Sequence, residues 1–277
     1  MATVPTLGMN DGSAIPQIGF GVFQIPPEET VEPVTLALQA GYRLIDTAQG
    51  YGNEEGVGKA IAASGIPRDE LFVTTKLANS AHGRDSALRE FDESLRKLDM
   101  DRVDLFLVHW PLPKLDRYVE TWKALEEIRA SGRAKAIGVS NFTEHHLNRL
   151  FDETDVVPAV NQIELHPELP QTALRAFHAR HGILTEAWSP IGQGHGLLDS
   201  PEVVALAKEV GRTPAQVVLR WHVQLGVIAI PKSVTPSRIV ENIDVFDFEL
   251  SESQMAQVSG LDSGRRLGPD PEQFDSR

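Results

Sequence analysis

Short apolar runs alternate with amphipathic stretches along nearly the whole chain, and that alternation restricts the fold more than any other feature. Segments at 43–45, 71–75, 103–108, 136–139, 159–163, 183–187 and 227–230 are strand-like, rich in β-branched and aliphatic residues, and 19–22 makes an eighth. Between them lie helical periods, the clearest of which carries Leu88, Phe91, Leu95 and Leu98 at steps of three and four. Gly41, Gly132 and Gly182 fall where helices should stop. Ser200-Pro201, Thr213-Pro214 and Thr235-Pro236 read as N-caps followed by proline, and Ser251 with Gln254 as a capping box. Helices between strands cover a parallel sheet, and eight such units predict an α/β chain closed into a (β/α)8 TIM barrel. Asn10-Asp11-Gly12 predicts an N-terminal β-hairpin ahead of it.

The 277 residues suit one barrel, for which about 250 is typical, and no linker or low-complexity tract divides them. A single domain over 1–277 is expected. The competing architecture, an open dinucleotide-binding sheet, needs a G-x-G-x-x-G turn. Gly56-Val57-Gly58 runs into Lys59-Ala60-Ile61 inside a helix-like stretch, and Gly192-Gln193-Gly194-His195-Gly196 has the wrong spacing.

Acidic residues outnumber basic ones by 39 to 26, a formal charge of −13 that repels phosphate backbones and anionic lipid. No run of about twenty apolar residues occurs, and Met1-Ala2-Thr3-Val4-Pro5 lacks a basic lead into an apolar segment. Cysteine is absent, which fits a reducing compartment. The expectation is a cytoplasmic monomer whose partner is a small molecule rather than nucleic acid or membrane. In that compartment the sequon Asn141-Phe142-Thr143 is accidental.

Asp46, Tyr51, Lys76 and His109 stand just past the ends of three of the apolar runs, and barrel enzymes build their sites at that edge. Singly, each has a plainer role: a helix cap, a turn anchor, a solvated strand end, a hydrogen-bonded wall. Together they supply what reduction of a carbonyl needs. A free tyrosine, pKa about 10, is a weak acid at neutral pH; a nearby ammonium lowers that value by roughly 1 to 3 units. Lys76 would provide the charge, Asp46 would keep it protonated, and His109 would orient the carbonyl oxygen.

The stretches GYRLIDTAQGYGNEEGVG (41–58), TTKL (74–77), VDLFLVHWP (103–111), AIGVSNF (136–142), NQIELHP (161–167) and IPKSVTPSRIVEN (230–242) resemble the aldo-keto reductase superfamily, in its order and spacing. Within it the chain is most similar to the prokaryotic 2,5-diketo-D-gluconic acid reductases. The resemblance implies that Tyr51 is the proton donor, Lys76 and Asp46 its tuning pair, and His109 the orienting group. It implies NADPH/NADP+ as cofactor, with Ser140, Asn141 and Gln162 on the nicotinamide carboxamide, Trp188 stacked on its ring, and Ser189 opening the loop that crosses the pyrophosphate. Lys232, Ser233, Arg238 and Asn242 match the adenosine-phosphate region; there two cations beside a helix start suit a 2'-phosphate on physical grounds too. Phe23 and Trp110 match substrate-pocket walls, and residues 264–277 match a tail bordering the substrate mouth, where Arg265 and Arg266 either meet an acidic substrate or are solvated charges. Where the family usually has a tryptophan after the catalytic lysine, this chain has Ala78, which is expected to open one wall.

Two other functions use the same residues. A lysine at a barrel strand end forms Schiff bases in lyases, although Asp46 would keep Lys76 protonated and non-nucleophilic. A non-enzymatic NADPH sensor is the other. Metal-dependent hydrolysis through His109, His166 and Asp46 lacks a histidine pair at ligand spacing, so no metal is expected.

Overall fold

The turn at Asn10-Asp11-Gly12 folds β1 (Thr6–Gly8) back antiparallel on β2 (Ala14–Pro16), as the sequence predicts. The computed structural model describes residues 4–276; Met1 to Thr3, part of the segment read for a leader, and Arg277, the last position of the expected domain, lie outside the described residues.

Eight parallel strands then pair in chain order: β3 (Phe20–Gly21), β4 (Leu44–Asp46), β5 (Phe72–Leu77), β6 (Val103–Val108), β7 (Ala134–Ser140), β8 (Val160–Glu164), β9 (Leu184–Trp188) and β10 (Ile228–Ile230). Bonds from Gly19 N to Ala229 O and from Gly21 N to Pro231 O join the last strand to the first. The seam is tight. A Cβ on Gly19 would stand 2.5 Å from Leu44 Cγ and 2.7 Å from Ile230 Cδ1, so only glycine lets the edges meet there.

The outer helices are α1 (Val31–Ala40), α2 (Glu54–Ala63), α3 (Arg84–Leu98), α4 (Tyr118–Ala130), α5 (Glu144–Glu153), α6 (Thr172–Arg180), α7 (Pro201–Val210), α8 (Pro214–Gln224), α9 (Pro236–Ile243) and α10 (Glu252–Ser259). The expected stripe on α3 buries Phe91, Leu95 and Leu98 against the outward faces of the strands, with Leu88 partly buried beside them. Thr213 and Ser251 form capping boxes, whereas Ser200 and Thr235 occupy N-cap positions without a side-chain cap bond. Gly56 to Gly58 lie within α2, away from any strand-to-helix turn.

Several strands extend beyond their apolar runs. Asp46, Lys76, Ser140 and Trp188 are inside β4, β5, β7 and β9, and of the expected catalytic four only His109 directly follows its strand. Backbone pairing continues through Asp46 opposite Thr74, Lys76 opposite Leu107 and Ser140 opposite Gln162, although the side chains there are polar. With a two-residue period, inward positions at the amino end carry Leu44, Phe72, Leu105 and Val160, packed with Met9 and Ile15 of the hairpin segment. Farther along the same faces come Asp46, Thr74, Lys76, Gln162 and Glu186, all buried.

Candidate active site

Lys76 is fully buried, and its Nζ donates to Asp46 Oδ1 at 2.6 Å, to the Thr47 carbonyl at 3.0 Å and to Tyr51 Oη at 3.4 Å. Asp46 Oδ2 accepts from Gln162 Nε2 at 2.8 Å, so both carboxylate oxygens have donors. Tyr51 ends a short 3-10 turn, Gln49–Tyr51. That turn is fixed from two sides: Gln49 Oε1 accepts from Ala78 N at 2.7 Å, and buried Asn53 ties Thr47 to the Val22 and Ile25 carbonyls. The His109 ring meets the Tyr51 ring edge-on at 5.7 Å between centroids, and the Phe23 ring lies 5.0 Å away on the same tyrosine. The four residues expected to act together are thus brought together.

Burial alone would lower the Lys76 pKa, but the Asp46 charge and hydrogen bond, with Tyr51, outweigh it and the net shift is upward. The lysine is an ammonium. Burial followed by the Lys76 charge pushes His109 down to about 3, so its imidazole is neutral. Tyr51 departs from the sequence expectation. Burial raises its pKa, Lys76 lowers it and Asp46 raises it again, and the result lies above the ordinary tyrosine value. Lys76 offsets desolvation of the phenolate instead of producing a phenol more acidic than in water.

On the opposite wall, Ser140 Oγ donates to the Gln162 carbonyl at 2.8 Å. Asn141, at a left-handed φ of 65°, donates from Nδ2 to the His109 carbonyl at 2.9 Å and accepts at Oδ1 from Trp188 Nε1 at 2.8 Å. The Asn141 amide hydrogens therefore serve the protein's own frame, as does one of the two on Gln162. Asn141 is 3 % exposed, so the sequon is inside the protein. Ser189 follows β9, also at a left-handed φ of 53°. Lys232 and Arg238 are exposed beside the start of α9, Ser233 Oγ accepts from Thr235 N at 3.1 Å, and Asn242 is buried in the last turn of that helix.

The carboxyl-terminal segment supplies what the sequence did not disclose. Glu164, fully buried at the end of β8, accepts from Leu267 N at 2.6 Å, Gly268 N at 3.0 Å and His166 Nε2 at 3.0 Å. Burial works against its charge, yet the His166 bond and the two backbone donors outweigh it, leaving the pKa below the ordinary carboxylate value. Gly268 is thereby seated on Trp188, where a Cβ would stand 2.5 Å from ring carbon Cη2. Beyond it Phe274 packs on Trp110 at 4.4 Å between centroids, and Asn79 donates to the Ser276 carbonyl at 2.9 Å. The gap expected at Ala78 is thus bordered by the tail. Arg265 bonds Glu168 at 3.2 Å and the His195 carbonyl at 3.3 Å, and Arg266 lies 3.6 Å from Glu164, so both arginines fasten this segment. Among the described residues no cluster of three or more His, Cys, Asp or Glu side chains has metal-holding geometry, and His166 is committed to Glu164.

Sequence reasoning also passed over Glu186, a buried carboxyl on the inner face of the barrel. A charged residue two positions before Trp188 in a strand-like run was the available signal, because that spacing puts both on one face.

Known proteins are similar to this chain over nearly its whole length. An aldo-keto reductase of Mycolicibacterium smegmatis is 55% identical over 270 residues, covering 98% of each chain. Methylglyoxal reductase DkgA of Escherichia coli is 50% identical over 275 residues, 99% of each. A crystallised variant of Gox0644 in complex with NADPH superposes with a TM-score of 0.94 at 49% identity over 99% of each chain. The description of the Aldo/keto reductase family matches residues 17–263, and the chain belongs to that family.

Proposed function

We propose that the protein is an NADPH-dependent reductase of small aldehydes, ketones and dicarbonyls, keto-sugar acids among them, with Tyr51 as the proton donor. The observation that carries this reading is the Lys76 ammonium, bonded to Asp46 at 2.6 Å and to the Tyr51 hydroxyl at 3.4 Å inside the barrel mouth. When bound, the nicotinamide supplies the hydride for the carbonyl carbon. Tyr51 gives its proton to the carbonyl oxygen, and Lys76 stabilises the phenolate left behind. Neutral His109 offers a ring nitrogen to the same oxygen without competing as an acid.

The residues present fit the cofactor. Lys232 and Arg238 flank the start of α9, whose first-turn N–H groups have no helical acceptor, and that combination favours the 2'-phosphate of NADPH. Trp188, held by Asn141 and Gly268, presents a ring for the nicotinamide, and Ser140, Asn141 and Gln162 offer lone pairs to its carboxamide. Phe23, Trp110 and Phe274 make the substrate walls aromatic. The relative named methylglyoxal reductase directs the substrate reading toward 2-oxoaldehydes.

Tyr51→Phe is the direct test. NADPH binding, followed by fluorescence, should persist while reduction of methylglyoxal falls about 10²–10⁴-fold; wild-type turnover in this variant sinks the acid assignment. A Schiff-base role for Lys76 finds no support in a lysine held as an ammonium by Asp46.

A further inference from the structure

Glu186 is fully buried on β9, across from Gln162 on β8 and Ile228 on β10. Neither carboxyl oxygen has a hydrogen-bond partner. Thr74 Oγ1, on the inner face of β5, is likewise unpartnered. The groups that act on Glu186 are Asp46 from β4, Lys76 from β5 and the Gln162 amide from β8, while β10 opposes it with apolar Ile228. The one ammonium in this group is already 2.6 Å from Asp46, and the Gln162 Nε2 donates to Asp46 as well. A second carboxylate would therefore be an uncompensated charge in the barrel interior, which is among the most unfavourable arrangements a protein can hold.

We propose that Glu186 is a positioning residue for the carbonyl reduction: held as the neutral acid, it leaves Lys76, Asp46 and Tyr51 without net charge, and its ionisation disables the proton donor. The inference rests on the assignment of Tyr51 above. Burial first, and then the Asp46 charge, raise the Glu186 pKa to about 8, with the Lys76 charge offsetting part of this. Below that pH the cluster is one cation and one anion. Above it a second anion faces Lys76 and Tyr51, and the Glu186 charge raises the tyrosine pKa further. Proton release from Tyr51 to the substrate oxygen then creates a third negative charge around a single ammonium. In this role Glu186 acts only through the charge it adds.

The test is the pH profile of single-turnover reduction of methylglyoxal by full-length protein loaded with NADPH, for wild type, Glu186→Gln and Glu186→Asp. Wild type should lose about tenfold or more in rate as pH rises through about 8. Glu186→Gln, which cannot ionise, should lack that limb or show it at least about one unit higher, and Glu186→Asp should restore a limb. An unchanged alkaline limb in Glu186→Gln overturns the proposal. Should that variant fail to fold, infrared spectroscopy of the wild type decides. A protonated-carboxyl band that persists below about pH 8 and vanishes above it, without unfolding, supports the inference, and its absence at neutral pH overturns it. Tyr51→Phe separates the two readings. If it still turns over, the acid assignment fails; if it is inactive while Glu186→Gln keeps the wild-type profile, only the role of Glu186 fails.

Discussion

The two ends of the barrel interior are built on the same strand faces and solve opposite problems. At the amino end Leu44, Phe72, Leu105, Val160 and Ile228 interlock with Met9 and Ile15, a dry plug without polar side chains. At the carboxyl end Asp46, Thr74, Lys76, Gln162 and Glu186 occupy the next inward positions, with unpaired oxygens on Thr74 and Glu186. The plug gains stability from removing apolar surface from water, at about 25 cal/mol per Å2. The polar layer gives some of that up to hold an ammonium and a phenol in fixed relation. The sheet thus separates folding from chemistry by a step of two to four residues along β4, β5, β8 and β9, while β6 and β10 stay apolar through Leu107 and Ile230.

The sharpest way to break this division is Lys76→Met. Removing one partner of a buried ion pair leaves Asp46 uncompensated, and a loss of about 3–5 kcal/mol in stability is expected. Turnover should fall about 10²–10⁴-fold with it, read in denaturant unfolding and in NADPH consumption. If stability were untouched, the ion pair would not be the frame described above. Leu105→Ala probes the other end. A loss of about 2–5 kcal/mol is expected there, with kcat/KM per folded molecule unchanged. A large kinetic effect would show that the plug and the site are not separable.

Glu186 makes the comparison sensitive to pH. Its folded pKa of about 8 lies above the unfolded value near 4.5, so the folded state binds more protons between them and stability falls as pH rises through that window. Stability conferred by the protonated form is complete below the unfolded pKa and gone above the folded one. Glu186→Gln lacks this dependence, so its stability relative to wild type should climb across the window, by at most about tenfold in the unfolding constant per pH unit. Urea midpoints at a series of pH values measure the difference; a flat difference would mean that the carboxyl is ionised throughout. The smallest effect is expected for Thr74→Val. It removes a buried unpartnered hydroxyl at similar volume and should change stability by about 1 kcal/mol or less, toward greater stability. A marked loss in calorimetry would indicate that the hydroxyl has a partner such as bound water.

What the sequence made readable follows this same boundary. The inward positions at the amino end are apolar, so the strands and their closure into a barrel were legible from pattern and period. Strand ends were misplaced at Asp46, Lys76 and Trp188 because backbone pairing continues where side chains become polar, and hydropathy has no access to a ladder of N–H and C=O groups. The raised Tyr51 pKa was missed because the effect of Lys76 was weighed without the burial that opposes it. The tail was illegible for another reason. Glu164 grips the backbone of Leu267, 103 positions away, and a contact through main-chain N–H groups leaves no signature in residue types.

Phe274 reaches Trp110 from beyond the last helix, not from the loop that follows Lys76. One flank of the site is thereby furnished by a segment outside the barrel, anchored to it through Glu164 and Trp188 at the strand ends. A side chain delivered this way answers to the sequence of the chain's end, so its neighbourhood can vary without any change in the loop after Lys76.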